Sequence, residues 1–380
     1  MEIFERDVTT LSNLNSGSYN LDGLNQLATI LTTRFKKRNF EVTWDADSRS
    51  WSASRPVKNS HHRKIPKVLL LTHMDTVFDV TDPFQSIARV PSNDLRYLRA
   101  KRWAPLLTGP GVVDNKAGIV MIEQVLDAFR DFDEQIEWKI FIQADEEIGS
   151  RHSKENLIGF AKDVELALVF EPGWYDFEAQ QYRLASEVGG NISAQVVVNS
   201  PASTQALATG FGRGAADVLS KFIGRLNSLR APNLFVSVFD IDLKSKPNVT
   251  ASFATAKVSI RFERESQRTQ ILNRLKQLTV ASSQIQLETK EVWNPLEIST
   301  PQVRALVRRS SRDEKLGVLH PTSSLFRSGA YFLAQAGIPT IDGMGPIGGD
   351  YHSSKEWLAL GSCHERLRLV TRIIQNALKL

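Results

Sequence analysis

Several short stretches of this sequence set histidine or acidic side chains where they could hold a metal ion. Leu71-Thr72-His73-Met74-Asp75-Thr76-Val77 places a His at the end of an apolar run, with a carboxylate two residues on. His73 suits a ligand and Asp75 its orienter, because a carboxylate that accepts the free imidazole N–H fixes the tautomer and raises ligand basicity. Thr108-Gly109-Pro110-Gly111-Val112-Val113-Asp114-Asn115-Lys116-Ala117-Gly118 is glycine-rich but fits neither nucleotide template. Asp114 stands where a phosphate would sit, which points to a cation; the bland alternative is a turn capping the next helix. In Ala144-Asp145-Glu146-Glu147-Ile148-Gly149-Ser150, three adjacent acids repel one another unless a cation or solvent compensates. Adjacent side chains diverge, so one of Glu146 and Glu147 can bind metal while the other faces a substrate. Glu171 follows an apolar strand in Phe170-Glu171-Pro172, and His352 lies in Gly349-Asp350-Tyr351-His352-Ser353-Ser354. Singly, each has a structural explanation. Together, two His and three carboxylates suit a pair of divalent ions, and mixed nitrogen and oxygen donors select zinc, with cobalt or manganese as substitutes.

These segments need elements to carry them. Leu21, Leu24, Leu27, Ala28, Leu31 and Phe35 recur at helical spacing, so residues 21–38 read as an amphipathic helix. A strand is expected at about 39–45, then a polar loop, then a buried strand at about 67–72 running into His73. After a long loop, Asn115 to Phe129 reads as a helix. Ile136–Ile142 and Leu166–Phe170 read as strands that deliver Asp145-Glu146-Glu147 and Glu171. Strands alternating with helices make an α/β layered domain with a central sheet, and such sheets place their sites at strand ends.

The middle of the chain changes rhythm. Strands at Asn191–Val198, Leu234–Phe239, Val249–Phe262 and Gln284–Val292 alternate with helices at Gly214–Leu229 and Gln267–Leu278. That is the β-α-β-β-α-β order of ferredoxin-like domains. The α/β pattern resumes near 300 and ends in a helix near 362–378. The expected organisation is a metal-binding domain of residues 1–187 and 295–380, with an inserted domain at 188–294.

Composition narrows the classes. At 380 residues the chain exceeds the usual size of one core, and its 42% hydrophobic content is ordinary. Its longest apolar stretches, such as Val68-Leu69-Leu70-Leu71, are too short to span a membrane. No secretory signal is read at Met1-Glu2-Ile3-Phe4, so a cytoplasmic location is expected. Cys363 is the single cysteine, which leaves any metal to His and carboxylates. The net charge of +5 is mild. Basic clusters at Arg34–Arg38 and His61–Lys64 read as solvated surface, and no nucleic-acid motif accompanies them.

In order and spacing, these motifs resemble the dinuclear zinc metallopeptidases that include glutamate carboxypeptidase, acetylornithine deacetylase, succinyl-diaminopimelate desuccinylase and the aminoacylases. The shared pattern is His-x-Asp-Thr-Val, Gly-Pro-Gly-x-x-Asp-x-Lys-x-Gly, Asp-Glu-Glu-x-Gly-Ser, Glu-Pro and a late His, and it covers nearly the whole chain. The segment from Gly109 to Gly118 and the Phe-Glu-Pro step match the glutamate carboxypeptidase branch best. The resemblance implies a catalytic domain with a mixed central sheet flanked by helices, plus a ferredoxin-like lid that can form a homodimer. It makes Asp114 the carboxylate bridging two divalent metal ions, with His73 and Glu171 completing one site and Glu147 and His352 the other. Glu146 becomes the general base and Asp75 the orienter of His73. Asn248 and Arg261 become substrate-binding residues, the arginine for a carboxylate. A cis peptide is implied between Asp114 and Asn115. The implied activity is amide-bond hydrolysis of the carboxypeptidase or N-acyl-amino-acid deacylase type, on a small peptide or N-acyl amino acid.

Two positions depart from the family pattern. Ser203 stands where a lid His is expected, and none of the seven His residues falls within 188–294. Ser203, Thr204 or Arg327 would have to substitute as the oxyanion donor. Gly329 stands where an Asp is expected in Phe326-Arg327-Ser328-Gly329-Ala330. The alternative function is therefore a non-catalytic metal- or peptide-binding protein on the same fold.

Overall fold

A run of four apolar residues without alternation needs cover on both faces, and Val68, Leu69, Leu70 and Leu71 are all buried. They lie in the strand Lys67–His73 of the computed structural model, which describes residues 1–57, 65–132, 134–201, 214–246, 248–280, 283–317 and 319–379. That strand is inside a six-stranded sheet. Across it the order is Glu41–Asp45, Ser50–Arg55, Glu137–Gln143, Lys67–His73, Leu166–Val169 and Thr340–Ile341. The first three strands pair antiparallel, and every pairing from Glu137–Gln143 onward is parallel, so the sheet is mixed. Helices Leu21–Lys36, Ala117–Ala128 and Leu360–Leu378 contribute their apolar faces to the same core. The first begins where the Asn20 side chain accepts from the Gly23 N–H, an N-cap, and buries Leu24, Leu27, Leu31 and Phe35 as its spacing requires.

Two loops expected from sequence contain sheet. The polar stretch after Asp45 holds the strand Ser50–Arg55, whose serines mask the inward-facing Trp51 and Ala53. The long connection after His73 holds Ala88–Arg89 and Leu106–Thr108, too short to show a period. These join Trp357–Ala359 and Gly348–Gly349 in a small antiparallel sheet.

The chain divides into two units. One comprises Met1–Ser186, Glu297–Thr322 and Ser328–Leu380; the other comprises Glu187–Leu296 and Ser323–Arg327. The second has its own sheet, ordered Leu234–Lys244, Phe253–Phe262, Gly190–Asn199 and Ile285–Trp293, antiparallel throughout. Helices Ala215–Asn227 and Glu265–Val280 pack on it, giving the split β-α-β-β-α-β arrangement with a separate core. The third of its strands in chain order starts at Phe253 rather than at Val249. Its ladders begin there, where Phe253 stands opposite both Asn199 and Lys244. No helix among the described residues is long and apolar enough to cross a membrane.

Gly118 shows how tightly the first unit is packed around its functional end. A Cβ there would lie 2.0 Å from Asn115 Oδ1 and 2.6 Å from the Phe170 carbonyl oxygen. Gly118→Ala should therefore destabilise the protein by about 1–3 kcal/mol through overpacking, read as a lower denaturant midpoint with an unchanged m-value.

Candidate metal centre

Three neighbouring parallel strands end side by side, and each delivers an acid or a histidine. His73 closes the strand Lys67–His73, Glu146 and Glu147 follow Gln143, and Glu171 follows Val169 by two residues. The other two residues arrive on turns. Asp114 lies between the strand Leu106–Thr108 and the helix Ala117–Ala128, in a turn whose Asp114–Asn115 peptide is cis. His352 lies between Gly348–Gly349 and Trp357–Ala359.

All five expected ligands converge. His73 Nε2 is 3.0 Å from Asp114 Oδ1 and 3.7 Å from Glu171 Oε2. His352 Nε2 is 3.3 Å from Asp114 Oδ2 and 3.0 Å from Glu147 Oε2. The two oxygens of Asp114 thus face different imidazoles. Ligand atoms of His73, Asp114 and Glu147 all lie within 4.8 Å of one another. Imidazole nitrogens gathered with carboxylate oxygens are the donor set of zinc-type ions, so these residues fit such a metal.

Asp75 sits behind the cluster, fully buried. Its carboxylate accepts from the backbone N–H groups of Glu146 and Glu147, each at 3.1 Å, and from the Ser18 hydroxyl at 2.8 Å. His73 Nδ1 lies 3.1 Å from the Asp75 carbonyl oxygen and 3.4 Å from its carboxylate. Both the backbone carbonyl and the carboxylate of Asp75 thus stand near His73 Nδ1, the carbonyl nearer. The carboxylate also ties His73 to the Glu146-Glu147 turn.

The electrostatics call for positive charge. Burial pushes the Glu147 carboxyl up to about 7, with the Asp114 charge adding to it and the His352 bond opposing. Burial also raises Glu171, and raises Glu146 well above the usual carboxylate range. Bonds to Asp114 and Glu147 lift His352 to about 10. For Asp114 burial works upward, but the His352 and His73 imidazoles overcome it and hold the carboxyl low. A divalent cation would stabilise every one of these carboxylates in its ionised form.

Sequence reasoning missed several supporting groups. Lys116 is fully buried and donates from Nζ to Ser16 Oγ at 2.5 Å and to the Met74 carbonyl, beside His73. Burial pulls its ammonium down to about 8, against the neighbouring carboxylates. Asp342, buried, accepts from Ser328 Oγ and the Gly343 N–H, and burial raises it to about 7 with Glu171 adding. Lys116 stood in the quoted Gly-Pro-Gly-x-x-Asp-x-Lys-x-Gly motif with no role assigned, and Asp342 carried no signal beyond its residue type. Of the expected substrate residues, Arg261 and Asn248 belong to the second unit. There Arg261 Nη1 donates to the Leu325 carbonyl at 3.2 Å, and the guanidinium lies 5.6 Å from the Phe326 ring centre. Ser203 and Thr204, like His61–Lys64, lie outside the described residues.

Residues 69–376 match the model of peptidase family M20/M25/M40. No curated protein matches the sequence. Among solved structures, a tripeptidase from Staphylococcus aureus subsp. aureus Mu50 is similar at 15% identity and a TM-score of 0.75, covering 99% of this chain and 98% of its own. The M20 family metallo-carboxypeptidase Sso-CP2 from Sulfolobus solfataricus is similar at 13% identity and a TM-score of 0.73, with 100% of both chains covered. A hydantoinase/carbamoylase family amidase from Burkholderia vietnamiensis is similar at 13% identity and a TM-score of 0.72, covering 99% of this chain and 97% of its own. At these identities the likeness is one of fold.

Protons on Glu147 and His352 occupy the atoms a cation would use, so metal affinity should rise as they leave. With Glu147 near 7 and His352 near 10, both are largely protonated on the acid side of neutrality. The Zn2+ association constant should climb at least roughly tenfold per pH unit there, measured by competition with a chromophoric chelator. A flat profile would remove both residues from the ligand set.

Proposed function

This chain belongs to peptidase family M20/M25/M40, and from that premise we propose that it is a two-metal hydrolase cleaving an amide bond in a small peptide or an N-acyl amino acid. The coarser part, metal-dependent amide hydrolysis, comes with the family. The finer part rests on the residues of this chain. His73 and Glu171 would hold one ion and Glu147 and His352 the other, with Asp114 shared, and zinc fits the donors. Bound there, such ions would polarise the scissile carbonyl and acidify a water.

The observation that carries a catalytic reading is Glu146. It needs no place in the ligand set, yet burial and the neighbouring Glu171 and Glu147 raise its proton affinity well above that of an ordinary carboxylate. A buried carboxylate beside the ligand cluster, outside the ligand set, would take a proton from an attacking water and return it to the leaving amine. A pure binder has no use for it. Asp75 and Ser18 keep the Glu146-Glu147 turn in place for that transfer. Arg261 is the proposed partner of a substrate carboxylate, since a guanidinium meets one with two parallel bonds, and Asn248 is proposed beside it. The tripeptidase and metallo-carboxypeptidase likenesses support a peptide substrate, and the amidase likeness supports an N-acyl one. The Gly109–Gly118 and Phe170-Glu171-Pro172 segments favour the glutamate carboxypeptidase type, with a homodimer through the second unit.

One observation favours a second reading. With no His among residues 188–294, the oxyanion donor expected there is missing, as in a non-catalytic metal- or peptide-binding protein. Hydrolysis of dipeptides and N-acyl amino acids by the zinc-loaded protein decides between them; no turnover across the panel would leave the binder. In an active protein, Glu146→Gln should retain both metal ions by elemental analysis and lose roughly 10²–10⁴-fold in kcat. Near-normal turnover in that variant would take the base role from Glu146.

A further inference from the structure

Glu356 has no part in the chemistry above, and its position is unusual for an acid. It is fully buried, immediately before the apolar strand Trp357–Ala359. Three backbone N–H groups of the Asp114 turn point at its carboxylate. Oε1 accepts from Val113 at 3.0 Å and from Asp114 at 3.1 Å, and Oε2 accepts from Gly111 at 3.1 Å. The backbone of Glu356 is held as well. Its carbonyl accepts from Thr108 Oγ1 at 2.7 Å, and its N–H donates to the Ser353 carbonyl at 3.0 Å, next to His352. The register Trp357↔Thr108 sets this arrangement, because it places the residue before Trp357 opposite the residues after Thr108.

We infer that Glu356 is a positioning residue of the metal centre, a carboxylate that locks the Asp114 turn to the His352 turn so that each oxygen of Asp114 faces its own imidazole. The turn residues need an outside acceptor. Gly111 has a left-handed φ of 68°, and Asp114 and Asn115 depart from helical geometry, so no regular ladder takes up these N–H groups. An ionised carboxylate can accept all three bonds and makes them charge-assisted, and these bonds work against the burial that pushes the Glu356 carboxyl up to about 8. A glutamine offers one oxygen, and its NH2 would face a backbone N–H. An aspartate keeps both oxygens but falls a methylene short. Because Asp114 supplies an atom to each half of the centre, a shift of its turn disturbs both halves together.

This inference rests on the metal reading, and Co2+ as the probe separates the two. Wild-type protein and Glu356→Gln are titrated with Co2+, recording the visible absorption spectrum and the affinity by chelator competition. Wild type should bind two ions. Glu356→Gln should bind them roughly 10–100-fold more weakly, as for loss of an outer partner of a ligand, with altered band positions. At saturating metal its kcat should fall while KM stays near the wild-type value. If wild type binds no pair of ions, the metal reading fails and the inference with it. If wild type binds two and a folded Glu356→Gln matches it in affinity, spectrum and kcat, the metal reading stands and the role of Glu356 is refuted. Should Glu356→Gln fail to fold, Glu356→Asp takes its place, with an intermediate loss of affinity expected and a wild-type spectrum refuting. Failure of both to fold would assign Glu356 to the core and overturn the inference equally.

Discussion

Carboxylates brought together away from water repel one another, and the structure around them must answer that repulsion. Asp114, Glu146, Glu147 and Glu171 are gathered with His73 and His352 at one end of a sheet, where burial drives carboxyl groups toward their neutral forms. Two imidazoles answer part of the charge, and a pair of divalent ions would answer the rest. This one constraint accounts for features that otherwise look unrelated. Glu146, Glu147 and Glu171 come from just beyond strand ends, where the backbone is fixed by its neighbours, and Asp114 comes from a turn. Asp75 spends its hydrogen bonds on the backbone of Glu146 and Glu147 and leaves the reactive carboxylates free to face the cluster. Gly118 lacks a side chain because Asn115 and the Phe170 carbonyl occupy the space it would fill.

Much of the centre was legible in the sequence because its ligands sit where an apolar strand stops. His73 and Glu171 each follow a buried run, and the Asp145-Glu146-Glu147 triplet follows an alternating one. A polar residue at that boundary has a chemical meaning that periodicity exposes. The split β-α-β-β-α-β unit was legible for a similar reason. Ile192, Ala194, Val196 and Val198 alternate cleanly because one face of their sheet is covered by helices.

What stayed hidden was short or disguised. Strands of two or three residues, such as Gly348–Gly349 and Leu106–Thr108, are too brief for any period, yet their pairing brings the Asp114 and His352 turns together. Ser50–Arg55 was disguised by its serines. Lys116 and Glu356 look like surface charges by residue type, and only the tertiary fold shows each to be fully buried. The direct contact of His73 Nδ1 with the Asp75 carbonyl could not be read either, because sequence distinguishes side chains and leaves backbone partners implicit.

The two halves of the centre rest on different kinds of support, and this explains where the buried charges lie. His73 ends a strand held in its ladder, and Glu147 and Glu171 follow closely on the two parallel strands beside it. Asp114 and His352 stand on turns with no ladder of their own. A turn that leaves helical geometry presents N–H and C=O groups that must find partners in a nearly dry interior. Lys116, two residues on from Asp114, donates to the Met74 carbonyl beside His73, and Glu356 accepts from the N–H groups of Gly111, Val113 and Asp114 itself. A buried lysine and a buried glutamate thus both hold the stretch around the residue proposed to serve both ions. Each charge is hard to bury by itself: the Lys116 ammonium is held by the Met74 carbonyl, the Ser16 hydroxyl and nearby carboxylates, and the Glu356 carboxylate by three backbone N–H groups against the burial that raises its pKa. Strand ends, with Asp75 tying down the Glu146-Glu147 turn, set His73, Glu147 and Glu171; Asp114 keeps its place because buried side chains do for its turn what hydrogen-bonded ladders do for a strand.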